Sequence, residues 1–299
     1  MKKRMLLYSG LIFALVFVLM GFRALESKSG VAKLDGRACI LQERSTGEIL
    51  YKKNATKKFP VASLTKLLTA YTVLQEIKEG RIGWNDTLSL SEYGRTMTAD
   101  VNLSNVPMEV GEEYTVRDLL NGLFVASGNN CAITLAEGIS GSEQAFLEKM
   151  ELQLQNLEIK NYVLVNCSGL DNSSIPEIYR KGKRDQMNLF SAKDILLIAS
   201  HLITEFPEVL DITQQTSTLF GTQEIYTYNK MLPSLEYGYE GVDGLKTGTT
   251  ESAGACLVVT CVQEGRRMLS VVLGAKEDEN RYEDTKKLLD FGFSEESRT

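Results

Sequence analysis

Apolar residues recur at helical spacing through the middle of the chain. Between Val61 and Ile77 they stand three and four residues apart, behind Pro60, and this spacing predicts an amphipathic helix with a start signal. The same pattern, interrupted by glycines and serines, predicts further helices at about 116–125, 129–139, 143–157, 192–203 and 282–291. The middle of the chain is therefore predicted to be helical.

Strand patterns stand on either side of this helical region. Two short apolar segments at 37–44 and 49–51 predict a hairpin, and continuous apolar runs at 255–262 and 268–274 predict two more strands around a turn. Since the strands come from both ends of the chain and the helices from its middle, we expect an α+β sandwich. Its antiparallel sheet would be flanked by helices, with a helical lobe inserted between the strand pairs.

The first 30 residues have the character of an export segment. Lys2, Lys3 and Arg4 precede an uncharged run from Met5 to Phe22, which as a helix would span about 27 Å, close to the hydrocarbon core of a bilayer. Small residues at both the −3 and −1 positions of a cleavage site are hard to find. We therefore expect 1–30 to hold cytoplasmic basic residues, a membrane anchor and a tether, with the rest on the extracytoplasmic face. A cleaved signal and a secreted protein are the alternative.

Composition excludes several classes of function. The formal net charge of −6 and the pI near 5.2 give no general attraction to nucleic acid. His201 is the chain's single histidine; it lies in an apolar run predicted to be a core helix, and Gly-x-Ser-x-Gly is absent, so a Ser-His-Asp triad is not supported. Neither His-Glu-x-x-His nor Cys-x-x-Cys occurs, and we expect neither a metal nor a cofactor.

The five cysteines do not form a disulfide framework, because their number is odd and the chain is long. Cys256 and Cys261 share one predicted strand, where a separation of five residues places them on opposite faces and about 16 Å apart. We expect free and mostly buried thiols.

Three short motifs carry the candidate chemistry. Ser63 stands three residues before Lys66 at the start of the predicted helix, where residues i and i+3 share a face. Ser127-x-Asn129 lies at a second helix start, and Lys246-Thr247-Gly248 leads towards a strand. Ser-x-x-Lys alone is expected about once by chance in a chain of this length. The three motifs in this order and structural context are far more specific.

These residue types suit a serine nucleophile that works without histidine. A hydroxyl needs a neighbouring base, and a lysine can serve if burial and nearby positive charge lower its pKa. Lys66 would be that base, while Lys246 would supply charge and attract an anionic substrate group. Ser127 could relay a proton to the leaving amine, and Asn129 could orient the lysine and bind a substrate amide.

The motifs resemble the signature of penicillin-binding proteins and class A β-lactamases. Their wider context is similar to the low-molecular-mass, serine-type D-alanyl-D-alanine carboxypeptidases, from about Lys33 to Phe293. The segments that carry this resemblance are Ala62-Ser63-Leu64-Thr65-Lys66, Ala126-Ser127-Gly128-Asn129-Asn130, Asn166-Cys167-Ser168-Gly169-Leu170-Asp171 and Gly241-Val242-Asp243-Gly244-Leu245-Lys246-Thr247-Gly248-Thr249-Thr250. Two positions depart from it: Asn130 stands where Asp is frequent, and Ser168 where many relatives carry His.

The resemblance implies a β-lactamase/transpeptidase-like fold and a catalytic domain over 31–299. The implied reaction is release of the terminal D-alanine from peptidoglycan stem peptides through an acyl-enzyme on Ser63, with β-lactams as covalent inhibitors. The backbone N–H groups of Ser63 and Thr249 would form the oxyanion hole, and Thr247 and Thr249 would meet the substrate carboxylate. Gly248 completes the substrate-binding triplet. Attachment to the membrane would come from the N-terminal apolar segment.

Two other functions stay open. A class A-like β-lactamase shares the acylation step, but it needs a glutamate for rapid deacylation, and Glu-x-x-Leu-Asn is absent from the sequence. A catalytically idle module that binds β-lactams or wall fragments would not need the activated nucleophile that Ser63 and Lys66 suggest.

Overall fold

The computed structural model describes residues 31–294 of the chain. The anchor predicted at 1–30 lies outside these residues. Within the described part, no helix is both long and apolar enough to cross a bilayer.

The described chain folds into eleven strands and eight α-helices. The strands are β1 (Ala38–Glu43), β2 (Ile49–Lys53), β3 (Lys58–Pro60), β4 (Thr87–Ser89), β5 (Glu113–Thr115), β6 (Leu189–Ser191), β7 (Ser217–Phe220), β8 (Gln223–Tyr226), β9 (Val242–Thr250), β10 (Gly254–Gln263) and β11 (Arg266–Ala275). The helices are α1 (Thr65–Lys78), α2 (Glu92–Thr98), α3 (Val116–Val125), α4 (Asn129–Ser140), α5 (Glu143–Asn156), α6 (Ala192–Glu205), α7 (Val209–Thr213) and α8 (Asp278–Phe293).

A five-stranded antiparallel sheet has the order β2-β1-β11-β10-β9. Its strands come from both ends of the described chain, and β1 pairs with β11 so that Ile40 stands opposite Val271. This confirms the expected α+β class and the expected sheet. The sheet ends at β9, which pairs with β10 on one side, so its other edge can face a cleft.

Capping side chains set the starts of two predicted helices. At α3 the Thr115 side chain accepts from the Asp118 N–H and the Asp118 carboxylate accepts in return; Ser191 and Asp194 repeat this at α6. Such reciprocal pairs satisfy N–H groups that the helix itself leaves unbonded. The local sequence therefore fixes where these helices begin.

Helix α1 connects the sheet to the helical lobe. It packs against α4, α5 and α6, and a 3₁₀ turn at Ala62–Leu64 leads into it and contacts β9 and β10. Its side chains are buried along almost its whole length. A residue in that turn is therefore held between the sheet edge and the lobe.

The structure differs from the predicted elements in three ways. Lys246-Thr247-Gly248 lies inside β9, whereas the sequence placed it before a strand. Helix α8 begins at Asp278, before the predicted start at 282. The apolar spacing used for the prediction does not mark its first turn, because that turn is polar. Helices α2 and α7 and the short strands β3 to β8 were not predicted, since segments this short carry little periodic signal.

Candidate active site

Ser63 lies in the 3₁₀ turn immediately before α1. The preceding residue, Ala62, has a φ of +48°, a left-handed conformation that costs a non-glycine residue about 1–2 kcal/mol. Two glycines allow neighbouring backbone to approach this turn: a Cβ on Gly169 would lie 2.0 Å from the Ala62 carbonyl oxygen, and one on Gly248 would lie 3.0 Å from the Ser63 nitrogen. The turn is thus clamped between two chain segments.

Lys66 lies beneath Ser63 and is completely buried. Its Nζ lies 2.8 Å from Ser63 Oγ, 2.7 Å from Asn129 Oδ1 and 2.8 Å from the Ser168 carbonyl oxygen. Burial lowers the pKa of Lys66 to about 7, because an ammonium loses hydration in the interior. In its neutral form the amine presents a lone pair to which the Ser63 hydroxyl can donate.

Ser127 and Asn129 stand at the start of α4. Ser127 has a φ of +55°, and its Oγ accepts a 2.8 Å hydrogen bond from Lys246 Nζ. The Asn129 amide group accepts from Lys66 and donates from Nδ2 to the Ser104 carbonyl at 2.8 Å. The bond from Nδ2 to Ser104 therefore holds the Asn129 side chain in place, and Oδ1 of that side chain positions the Lys66 amine.

Lys246 is the second buried amine of the site, with 1% of its surface exposed. Besides Ser127, it donates to the Thr247 carbonyl at 3.0 Å. Burial, then the charges of Lys66 and Arg281, lower its pKa well below the ordinary value. An anionic ligand beside it would favour its charged form again, because opposite charges stabilise each other.

A cleft of about 340 Å³ opens over these residues. Ser63 and Ser127 line it from the lobe, and Thr247, Gly248 and Thr249 line it from the edge strand β9. Lys66 lies beneath its floor, where its Nζ bonds both Ser63 and Asn129. All eight residues that the sequence singled out are thus brought together.

Arg281 on α8 was missed by the sequence analysis, yet it lines the cleft. Its Nη1 donates to Thr249 Oγ1 at 2.9 Å and to the Gly248 carbonyl at 3.3 Å, and its guanidinium pairs with Asp278. It precedes the predicted helix by one residue and belongs to none of the three motifs. No sequence signal connects it to β9, which lies more than thirty residues away.

Other residues discussed in the sequence analysis lie outside the proposed chemistry. Asn130 is fully buried, and its side chain bonds the backbone N–H and C=O of Val106. His201 lies on α6, 3.1 Å from Glu205, and is not among the described residues that line the cleft. The five cysteines are free and buried, as predicted.

Comparisons with known proteins all point to one enzyme family. A family model described as D-alanyl-D-alanine carboxypeptidase matches residues 25–277. The D-alanyl-D-alanine carboxypeptidase DacF of Bacillus subtilis (strain 168) is 31% identical over 268 residues, which are 87% of this chain and 63% of that protein. The D-alanyl-D-alanine carboxypeptidase DacC of Escherichia coli (strain K12) is 32% identical over 96% of this chain. The chain spans 63% and 68% of the length of these two relatives.

Solved structures match over a similar range. A peptidoglycan synthesis regulatory factor from Streptococcus pneumoniae has a TM-score of 0.84 and 37% identity, with 87% of this chain and 72% of that chain covered. The cefotaxime-bound form of penicillin-binding protein D2 from Listeria monocytogenes has a TM-score of 0.75 and 30% identity. That match covers 88% of this chain and 99% of the Listeria chain.

Proposed function

The chain belongs to the D-alanyl-D-alanine carboxypeptidase family, and on that premise we propose that it removes the terminal D-alanine of peptidoglycan stem peptides through an acyl-enzyme on Ser63. One observation carries the proposal: the fully buried Lys66 amine lies 2.8 Å from Ser63 Oγ. A base with a pKa near 7 is suited to accept a proton close to neutral pH.

In the first half of the reaction, Lys66 takes the proton of the Ser63 hydroxyl while Oγ forms a bond to the carbonyl carbon of the penultimate residue. The negative charge on the carbonyl oxygen is stabilised by the backbone N–H groups of Ser63 and Thr249. The close approach of Gly248 to the Ser63 nitrogen supports this pairing. The peptide C–N bond then breaks. Lys66 gives up the proton it took from Ser63, and the Ser127 hydroxyl relays a proton to the departing amine, which leaves Lys66 neutral.

The second half of the reaction releases the shortened peptide. Water attacks the ester carbon, Lys66 accepts a proton from it, and Ser63 Oγ leaves with a proton. No second base is needed, since the Lys66 amine that removed the hydroxyl proton is again neutral and again adjacent to the reacting atoms. Asn129 keeps the amine in place through both halves.

The terminal carboxylate of the substrate would lie along β9. Lys246, Thr247 and Thr249 would contact it, with the buried Arg281 holding the Thr249 hydroxyl in position. Carboxylate binding favours the charged form of Lys246, so the substrate itself would restore the charge that burial opposes. The absence of histidine from this scheme agrees with the location of His201.

We further propose that the protein works at the extracytoplasmic face of the membrane, with 1–30 as its anchor and 31–299 as the catalytic domain. The support is the basic and then apolar character of that segment and the family's substrate. β-Lactams would acylate Ser63 as covalent inhibitors; the relation to a cefotaxime-bound penicillin-binding protein supports this.

The test compares the wild-type chain with Ser63→Ala on a peptide that ends in D-Ala-D-Ala, with Ser45→Ala in the exposed β1–β2 turn as the matched control. Free D-alanine and the intact mass after penicillin treatment are measured. We expect Ser63→Ala alone to lose both D-alanine release and the mass adduct. Release at the wild-type rate by Ser63→Ala would refute the proposal, and an adduct without any release by the wild type would favour an idle module. Rapid penicillin turnover would favour a β-lactamase.

A further inference from the structure

Asp171 joins the loop that follows α5 to the end of the edge strand β9. Its Oδ1 atom accepts from the Thr250 hydroxyl at 3.1 Å, and its Oδ2 atom accepts from the Ser252 N–H at 3.4 Å. Asp171 is 8% exposed and is not among the described residues that line the active-site cleft. The proposed reaction uses neither Asp171 nor Thr250, so their contact needs an explanation other than a bond to the substrate.

The same loop contacts the nucleophile's side of the site at two points. The Ser168 carbonyl accepts from Lys66 Nζ at 2.8 Å. A Cβ on Gly169 would lie 2.0 Å from the Ala62 oxygen, so the loop backbone packs directly on the turn that carries the nucleophile. Two residues after this contact, Asp171 reaches across to β9. The loop therefore connects both sides of the cleft.

Side-chain amides hold this loop in shape. The Asn166 side chain accepts from the Gly169 N–H at 2.7 Å and donates to the Leu170 carbonyl at 2.8 Å. The buried Asn188 in turn donates to the Asn166 carbonyl at 2.8 Å. Because buried hydrogen bonds of this kind restrict the backbone, a displacement at one end of 166–171 would be transmitted to the other end.

The end of β9 is held from two directions. Arg37, at the sheet, donates to the Ser252 and Ala253 carbonyls at 3.1 and 2.5 Å, while Asp171 holds the same turn from the loop. Thr250, which Asp171 bonds, directly follows Thr249, the proposed second donor of the oxyanion hole. The position of that donor therefore depends on a residue that Asp171 contacts.

The two donors of the proposed oxyanion hole belong to different segments. The Ser63 N–H comes from the turn before α1 and the Thr249 N–H from β9. Both donors have to lie about 2.7–3.1 Å from one developing oxyanion, and a misplacement of about 1 Å can slow a reaction about 10²-fold. The separation of these two segments therefore has to be fixed by contacts between them.

We propose that Asp171 is a positioning residue that sets the distance between β9 and the Ser63 turn through its bonds to Thr250 and Ser252. A carboxylate is well suited to this, because hydrogen bonds to an ionised acceptor are stronger than those between neutral groups. The inference rests on the proposed acyl-enzyme on Ser63 and adds a residue that acts on it without touching the substrate.

The test measures the acylation rate of the full chain by a fluorescent penicillin in stopped flow. Asp171→Ala is compared with Asp86→Ala, which also removes a carboxylate that accepts from a backbone N–H, at 2.7 Å from Gly83 in an exposed turn. Circular dichroism confirms that each variant is folded. We expect Asp171→Ala to acylate about tenfold or more slowly, and Asp86→Ala to acylate at the wild-type rate.

A double-mutant cycle separates positioning from a general loss of stability. Thr250→Val removes the hydroxyl that Asp171 accepts from and should also be slow, whereas Thr250→Ser keeps the hydroxyl and should acylate at the wild-type rate. The double variant of Asp171→Ala and Thr250→Val should be little slower than Asp171→Ala alone, because both changes remove one shared bond. Losses that multiply in the double variant would overturn the proposal.

The outcomes distinguish this inference from the proposed function. A wild-type chain that forms no penicillin adduct would refute the proposed function and this inference with it. With an active wild type, equal acylation rates in folded Asp171→Ala and Asp86→Ala would overturn this inference alone. If Asp171→Ala does not fold, the comparison of Thr250→Val with Thr250→Ser tests the same bond, and equal rates in those two variants would overturn it.

Discussion

The Nζ atom of Lys66 lies 2.8 Å from the Oγ atom of Ser63, inside a site where the lysine has no exposed surface. The amine has two further acceptors, Asn129 Oδ1 and the Ser168 carbonyl. These acceptors favour the ammonium form, while burial opposes it and prevails, lowering the pKa of Lys66 to about 7. The amine and its contacts can be tested separately, by pH and by substitution of the neighbouring residues.

The rate of Ser63 acylation should depend on pH through Lys66. The base works only when neutral, so lowering the pH below about 7 should slow acylation by a fluorescent penicillin about tenfold per pH unit. Above that pH the rate should level off. Stopped-flow measurements from pH 5 to 9 test this, and a rate that is constant between pH 5 and 7 would exclude Lys66 as the base.

Asn129→Asp should move that pH dependence upward. A carboxylate 2.7 Å from the amine, at the position of Oδ1, favours the ammonium and should raise the acylation midpoint by about 1–3 pH units. Asn129→Ala is the control, because it also loses the bond to Ser104 but adds no charge. The two variants should both be slow at pH 7, and raising the pH should rescue only the aspartate variant.

Gly169→Ala should displace the nucleophile. Gly169 has a φ of +87°, and a Cβ there would lie 2.0 Å from the Ala62 oxygen, which forces the Ser63 turn to shift. Gly111 has a φ of +88° with nothing within 4 Å, so Gly111→Ala carries the backbone cost of about 1–2 kcal/mol alone.

Thermal unfolding and penicillin acylation separate the two effects. Both alanine variants should be less stable, and only Gly169→Ala should also lose most of its acylation rate. Equal acylation by the two folded variants would show that the turn tolerates the displacement.

Glu143 should act as a positioning residue. It is 8% exposed, and burial raises its pKa. Oε1 of its carboxyl accepts from the Cys167 N–H at 2.8 Å, a bond that the side-chain oxygen of a glutamine could also accept. Glu143→Gln should keep acylation within about twofold of wild type, whereas Glu143→Ala leaves that N–H unpaired and should cost about 1–3 kcal/mol of unfolding free energy.

The decisive readout for Glu143 is the acylation rate of folded protein at pH 8. A purely structural role would lower stability and leave that rate unchanged. We expect the alanine variant to be slower, because the Ser168 carbonyl that contacts Lys66 follows directly after Cys167. Recovery of the rate in Glu143→Gln would show that the hydrogen bond, and not the charge, matters.

Much of the architecture could be predicted from residue patterns, because helical spacing and paired strands are local properties. Helix α3 begins and ends where the spacing placed it, at Val116 and Val125, and the Thr115 cap explains why. The extent of β9 could not be predicted from the sequence, since Lys246-Thr247-Gly248 contains no periodic signal. Strand order depends on contacts such as Ile40 with Val271, which a local pattern does not contain.

The candidate site divides in the same way. Ser63 and Lys66 are three residues apart and share a helical face, so their contact follows from the sequence. Arg281 reaches Thr249 only because α8 packs on β10 and β11, next to the edge strand β9. Glu143 influences the site through the backbone of Cys167, and a contact through backbone atoms leaves no side-chain motif to find.

The most direct test of the account is a titration of the Lys66 amine itself. In the full chain with ¹³C- and ¹⁵N-labelled lysine, the Lys66 signal can be identified by its loss in Lys66→Arg and followed by nuclear magnetic resonance from pH 5 to 11. We expect a midpoint near pH 7. A midpoint near the ordinary lysine value of 10.5 would contradict it, because the amine would then be an ammonium at neutral pH and unable to take the Ser63 proton.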